Sequence, residues 1–283
     1  MSRASRRIAG SGEPLVLIHG LGHTRHAWFP VLEALERCYE VLSLDLPGFG
    51  EAPPLPADIA PSVPALADAV EQEMEAAGFR TAHLCGNSMG GWIALELARR
   101  GRARTVVAIS PAGGGTRRER AYARSLFKLV RRASIAGSPV AEAVAAPGPT
   151  RPLFFGLFFA RPNRLPRDEA AYAIQAFAKA PAFPAACDLL FARRADGLDQ
   201  VTCPVTIAWG TRDLLLFPRQ ARHFLAQLPS ARKVTLERLG HVPMYDDPPR
   251  LARVILDQTG GQRPPGEPTP PWARAQALRP SGG

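Results

Sequence analysis

The sequence predicts an α/β fold: a mostly parallel sheet covered by helices on both faces, interrupted once by an all-helical insertion. Two observations carry this prediction. Short apolar, β-branched runs alternate with segments of helical periodicity along most of the chain. From about Pro111 to Leu198 the strand-like runs stop, and only helical patterns separated by Pro and Gly remain. The 283 residues, 46% hydrophobic and 21% charged, suffice for a large core and exclude a disordered or fibrous chain.

In chain order, Leu15–Ile18, Val41–Leu44, Ala82–Cys85, Val106–Ile109, Val205–Trp209 and Val234–Leu236 read as strands. They are mostly apolar and β-branched without a regular polar face, as expected for strands buried on both faces. Trp28–Arg37, Ser62–Ala77, Met89–Arg100, Pro218–Gln227 and Pro249–Asp257 read as the helices between them. The insertion shows helical patterns near 117–134, 138–146, 167–180 and 184–195. The expected organisation is a core of residues 1–110 and 199–258, an inserted helical domain at 111–198 and a tail at 259–283. That tail is rich in Pro and Gly and reads as disordered rather than as a P-x-x-P ligand.

Composition excludes several function classes. The longest apolar run, Leu153 to Ala160, falls far short of the roughly 18 residues of a spanning helix. The basic N-terminus lacks the apolar stretch of a secretory signal, so a cytoplasmic protein is expected. Cys38, Cys85, Cys187 and Cys203 form no CxxC pair, which argues for reduced thiols over disulfides or zinc. No ligand cluster or dinucleotide fingerprint implies a metal or cofactor. The net charge of +10 is concentrated at the two termini and at 117–132. Tyr122, Leu126, Leu129, Val130 and Ala133 lie on what reads as the other face of that basic stretch, so it is expected to be a solvated helix face rather than a nucleic-acid site.

The chemistry is carried by Gly86-Asn87-Ser88-Met89-Gly90, placed between a predicted strand and a predicted helix. G-x-S-x-G is weak as a bare pattern, and its context gives it meaning. A serine turning sharply from strand to helix needs glycines beside it, because neighbouring Cβ atoms would crowd the approach of strand and helix. The turn lifts the hydroxyl above the carboxyl ends of the strands, where open α/β sheets bind ligands. A serine hydroxyl needs a base, and histidine has the suitable pKa. Of six histidines, His241 follows the last strand at the same sheet edge as Ser88. Asp213 follows the penultimate strand and can orient that imidazole. Asp45 is the competing acid, but Asp45 to Gly50 reads as a structured turn. The order Ser88, Asp213, His241 is that of the nucleophile-elbow scaffold. Two backbone donors are required for an oxyanion, and the N–H groups of Met89 and Leu21 are the candidates. His19 is expected to brace the Leu21 loop.

Taken together, His19-Gly20, Asp45 to Gly50, Gly86 to Gly90, Gly210 to Asp213 and Gly240-His241 make residues 8–258 resemble an α/β-hydrolase of the serine-nucleophile, helical-lid type. The resemblance implies attack by Ser88 on a carbonyl, an acyl-serine intermediate, and a lid at 111–198 over the pocket. The aspartate-nucleophile relatives, haloalkane dehalogenases and epoxide hydrolases, are disfavoured by serine at position 88. The departure lies at the start, where such proteins usually carry a two-stranded hairpin before the His-Gly loop. Ile8 to Gly12 resembles the end of its second strand; a start placed too late or a truncated hairpin is expected, the latter leaving Val41–Leu44 as an exposed edge.

Phe155 and Phe158, in the run Leu153 to Phe159, are candidates to line an apolar substrate pocket. The leading expectation is therefore a small-molecule carboxyl-ester or lactone hydrolase. A carbon–carbon bond hydrolase acting on vinylogous diketones is the alternative, suggested by Asn87 to Gly91 and Gly113 to Gly115 and opposed by Val242, where that group usually has tryptophan. A ligand-binding protein on the same fold is the alternative of another class.

Overall fold

The protein is described by a computed structural model covering residues 5–148 and 150–261. Its seven strands are β1 (Arg6–Ala9), β2 (Glu13–Ile18), β3 (Tyr39–Leu44), β4 (Ala82–Asn87), β5 (Ala103–Ile109), β6 (Val205–Gly210) and β7 (Arg232–Leu236). They form one sheet in the order β1-β3-β2-β4-β5-β6-β7, parallel except for β1. Every residue of β4 and β6 is buried, so these strands are mostly apolar without a polar face, and their polar side chains His83, Asn87 and Thr206 are each hydrogen-bonded.

The structure corrects the expectation of an exposed Val41–Leu44 edge. Arg6–Ala9 pairs antiparallel with β3, from Arg6 opposite Leu44 to Ala9 opposite Val41. A strand therefore precedes β2, and the inner strand β3 is covered. The sequence Arg-Arg-Ile-Ala has no alternating pattern to announce this, and its residues remain half-buried or exposed.

Helices α1 (Phe29–Glu36), α2 (Val63–Ala76) and α3 (Met89–Arg99) alternate with β2 to β5. The path from β2 to β3 steps one way, and that from β3 to β4 steps back across β2. Right-handed crossovers then place α1 on the face opposite α2 and α3. The same reversal opens a crevice at the carboxyl ends of β2 and β4, the usual ligand position of such sheets.

Between β5 and β6 the chain forms α4 (Arg117–Gly137), α5 (Ala141–Val144), α6 (Thr150–Phe155), α7 (Arg167–Lys179) and α8 (Phe183–Ala192). Helix α4 opens with a capping box in which the Thr116 hydroxyl and the Glu119 carboxylate satisfy each other's backbone N–H groups. Its buried stripe is Ala123, Phe127 and Ser134, with Leu126 and Val130 partly covered. Tyr122 and Leu129, expected on that stripe, are 41% and 60% exposed, because five and two residues from Phe127 are about 140° and 200° around a helix. Arg117, Arg118, Arg124 and Arg132 face solvent, as expected of a solvated basic face. Helix α6, which runs into the apolar stretch from Leu153, lies outside the helical patterns of the sequence, and the pattern near 184–195 ends three residues early.

After β6 come α9 (Ala221–Gln227), β7 and α10 (Pro248–Thr259). Helix α10 packs against α1 and includes Thr259, which the sequence placed in the tail. Gly260 ends it at φ 78°, a left-handed cap that glycine adopts without strain. The rest of the expected tail, 262–283, lies outside the described residues. Among those described, no helix is long and apolar enough to cross a membrane, and all four cysteines are free thiols.

Candidate active site

Strand β4 ends at Asn87 and α3 begins at Met89, so Ser88 makes the whole turn. It adopts φ 57° and ψ −115°, a conformation unfavourable for a residue with a Cβ and held only by its surroundings. Two contacts show why glycines flank it. A Cβ on Gly86 would lie 2.1 Å from the Gly90 carbonyl oxygen, and one on Gly90 would lie 2.2 Å from that of Ile18. The end of β5 secures the turn: Ser88 N–H donates to the Ile109 carbonyl (2.9 Å), and the Ser88 carbonyl accepts from Ala112 N–H (2.9 Å).

His241 sits in the loop after β7, and its Nδ1–H donates to Asp213 Oδ2 at 2.7 Å. Because a carboxylate only accepts, this bond puts the ring proton on Nδ1 and leaves Nε2 as the basic nitrogen. Asp213 Oδ1 is held by Leu215 N–H (3.0 Å) and Leu216 N–H (2.8 Å), so the carboxylate is fixed from behind. Ser88, Asp213 and His241 are 2%, 2% and 1% exposed. Ser88 Oγ and His241 Nε2 are both buried without a hydrogen-bond partner among the described residues.

The competing acid is occupied elsewhere. Asp45 Oδ1 accepts from Arg25 N–H (2.7 Å), and Oδ2 accepts from Glu51 N–H (3.1 Å) and the Arg25 guanidinium. It organises the 45–51 turn, as its sequence context suggested. His19 Nδ1–H donates to the Gly20 carbonyl (2.8 Å), while Nε2 accepts from Leu46 N–H (2.9 Å). Burial pushes its pKa below the ordinary value, with Asp45 opposing, which favours the neutral ring those bonds require. His19 thus fastens the Gly20-Leu21 loop to the 45–51 turn. That loop lies on the elbow: a Cβ on Gly20 would be 3.1 Å from the Ser88 Cβ. Leu21 is buried in the loop, and Met89 N–H belongs to the first turn of α3, where backbone donors lack an intrahelical acceptor.

Phe155 and Phe158 are buried beside a cavity of about 30 Å³ shared with His23, Val130, Phe154 and Phe177. A second cavity of similar size lies across His23, lined by His26, Glu169, Tyr172 and Tyr245. Each has room for only one or two waters, and neither is lined by Ser88, Asp213 or His241.

Three residues at the site were not singled out from sequence. Asn87, inside the elbow motif, donates from Nδ2 to the His241 carbonyl (2.9 Å) and ties the two loops together. Asp246 anchors the loop of His241. His23 packs edge-on against Phe158 and Phe159, and burial drives its pKa down to about 3. Only the motif position of Asn87 carried a signal, since the other two depend on contacts with the insertion.

The buried histidines make a pH prediction. With folded pKa values of His19 and His23 below the unfolded value of 6.5, the unfolded chain binds more protons from there down to the folded pKa. Stability present above pH 6.5 is therefore lost as the pH falls. Thermal midpoints should decline between about pH 7.5 and 5, above the carboxylate range. His23→Gln should flatten that decline; equal slopes in both proteins would exclude His23 as a source.

Residues 15–254 match the sequence model of the Alpha/beta hydrolase family. The chain belongs to that family. Among its relatives is the Mycobacterium tuberculosis epoxide hydrolase EphH, 34% identical over 200 residues that make up 67% of this chain and 91% of EphH. A thermophilic esterase from Thermogutta terrifontis superposes with a TM-score of 0.71 at 24% identity, over 90% of this hydrolase and 92% of the esterase. The enol-lactonase of Burkholderia xenovorans LB400 gives 0.69 at 21% identity, over 90% and 95%. At such identities these two likenesses are of fold alone.

Proposed function

We propose that this α/β hydrolase is a serine hydrolase of apolar carboxyl esters or lactones. The observation that carries the reading is the His241–Asp213 hydrogen bond (2.7 Å), which orients a buried imidazole at the sheet edge where the strained turn raises Ser88. A nucleophile at a strand-to-helix turn and a base oriented by a carboxylate are the parts that acyl transfer to serine needs. In the reaction Ser88 Oγ attacks the carbonyl carbon while its proton passes to His241 Nε2. Asp213 stabilises the resulting imidazolium, and the N–H groups of Leu21 and Met89 receive the oxyanion. Collapse expels the alcohol with the proton from His241, leaving an acyl-serine. Water, deprotonated by the same nitrogen, then releases the acid and restores Ser88.

The likeness to an epoxide hydrolase raises epoxide opening as a second reading. A carboxylate nucleophile opens an epoxide to an ester that water can hydrolyse. A serine would instead form an ether, which this machinery cannot cleave. Serine at position 88 therefore favours acyl transfer. In a panel of acyl esters, lactones, thioesters, vinylogous diketones and an aryl epoxide, turnover should be seen with the esters or lactones, with Ser88→Ala as blank. Absence of acyl turnover together with no labelling of Ser88 by an active-site phosphonate would overturn the reading and favour a ligand-binding protein; diketone or epoxide turnover alone would redirect the substrate class.

In this proposal the helical segment 111–198 is the lid, and Phe155 and Phe158 line the acyl site. Phe155→Ala and Phe158→Ala separate pocket from core. At one or both positions we expect a changed acyl-length preference with little change in melting temperature. A loss of about 3–5 kcal/mol in stability with unchanged relative rates would assign both rings to packing.

A further inference from the structure

Asp246, five residues beyond His241, is wholly buried at 0% exposure. Its Oδ2 accepts from Gly240 N–H (2.8 Å) and Ala160 N–H (3.0 Å), and its Oδ1 accepts from Arg161 N–H (2.7 Å). Its own carbonyl accepts from the guanidinium groups of Arg161 (3.1 Å) and Arg164 (2.6 Å). One carboxylate therefore joins the residue before His241 to the stretch of insertion between α6 and α7. The residue after His241 is joined to the same stretch, since Val242 N–H donates to the Phe158 carbonyl (2.8 Å). The fit is close: a Cβ on Gly240 would lie 2.7 Å from both Phe158 O and Ala160 N.

A buried carboxylate is tolerable only when its lone pairs are well satisfied, and here the donors come from two segments about 80 residues apart in sequence. Detaching either segment leaves the charge under-bonded, so both stay together. We infer that Asp246 is a positioning residue for His241, and that residues 158–164 of the insertion are the footing of the base rather than part of a roof that lifts. This inference rests on the reading of His241 as the general base. It also divides the insertion: motion that admits substrate belongs to the helices on either side of 158–164.

Asp246→Asn tests it. The amide is nearly isosteric, but its NH₂ faces a backbone N–H and loses at least one of the three bonds. With p-nitrophenyl acetate, kcat should fall about 100-fold, the scale of an ångström-sized misplacement, with KM little changed. Hydrogen exchange should quicken in peptides spanning 157–165 and 237–247 while the β6 peptide stays protected. Wild-type kcat, an unchanged exchange rate in the 237–247 peptide, or equal loss of protection in β6 would each overturn the inference, the last by reducing Asp246 to a general fold determinant. If the asparagine protein does not fold, Arg164→Gln removes only the guanidinium at the Asp246 carbonyl. A fall in kcat of about threefold with faster exchange at 157–165 is then expected, and no change in either overturns the inference. Wild-type protein that turns over no ester removes the functional reading and this inference with it; wild-type turnover with a silent asparagine variant removes this inference alone.

Discussion

Replacing Ser88 with alanine is expected to lower kcat for the preferred ester by about 10⁶-fold while leaving the fold intact. Both halves of this expectation come from the same atom. Ser88 Oγ makes no hydrogen bond among the described residues, so its removal strands no partner. Alanine also keeps the Cβ already accommodated at φ 57°, and the turn is held by backbone bonds to Ile109 and Ala112. The melting temperature should therefore move little. What remains is binding and the donors at Leu21 and Met89, which together leave a residual rate of about 10³–10⁴ over water. Turnover near that of the wild type would remove Ser88 from the mechanism.

The second large effect is expected at Asp213 and His241. His241→Ala deletes the base and should cost nearly as much as the loss of Ser88. Asp213→Asn is subtler and should cost about 10⁴-fold. The amide oxygen can keep the bonds from Leu215 and Leu216, so the loop survives. Its NH₂ then faces His241 Nδ1, which must become an acceptor. The ring proton moves to Nε2, and the nitrogen that should take the proton of Ser88 no longer can. Because nucleophile, base and orienting acid act as a unit, the double variant should be little worse than His241→Ala alone. Additive losses would mean that another carboxylate orients the base, and Asp45→Asn would be the next variant to measure. Its three bonds to the 25 and 51 segments make a large stability loss the expected result there instead.

Much of the core architecture is legible because its causes are local. The parallel strands are buried on both faces, so β4 and β6 appear as short, mostly apolar runs without polar alternation. Gly86 and Gly90 are required by contacts within a few residues of the turn and by the strand beside it. Ser88, Asp213 and His241 each follow a recognisable strand at one sheet edge, and their chain order distinguishes this scaffold from others. Strand β1 was hidden for the opposite reason. Arg6 to Ala9 is extended because β3 offers a free row of N–H and C=O groups, and nothing within the four residues says so. Helix α6 is hidden because its six residues make fewer than about two turns, too few for a period to show.

Sequence alone determined the order of β2 to β7, the helices that alternate with them and the turn that raises Ser88, since propensity, hydrophobic period and steric crowding act over a few residues. Tertiary structure alone decided which polar groups meet. It placed His241 on Asp213 and left Asp45 with Arg25, bound the His241 carbonyl to Asn87, and joined Asp246 to residues 160 and 161 of the insertion. Such partners are separated by tens to more than a hundred residues. Their pairing follows from strand order and from the need of each buried polar group for a bond, which become defined only when the chain is folded.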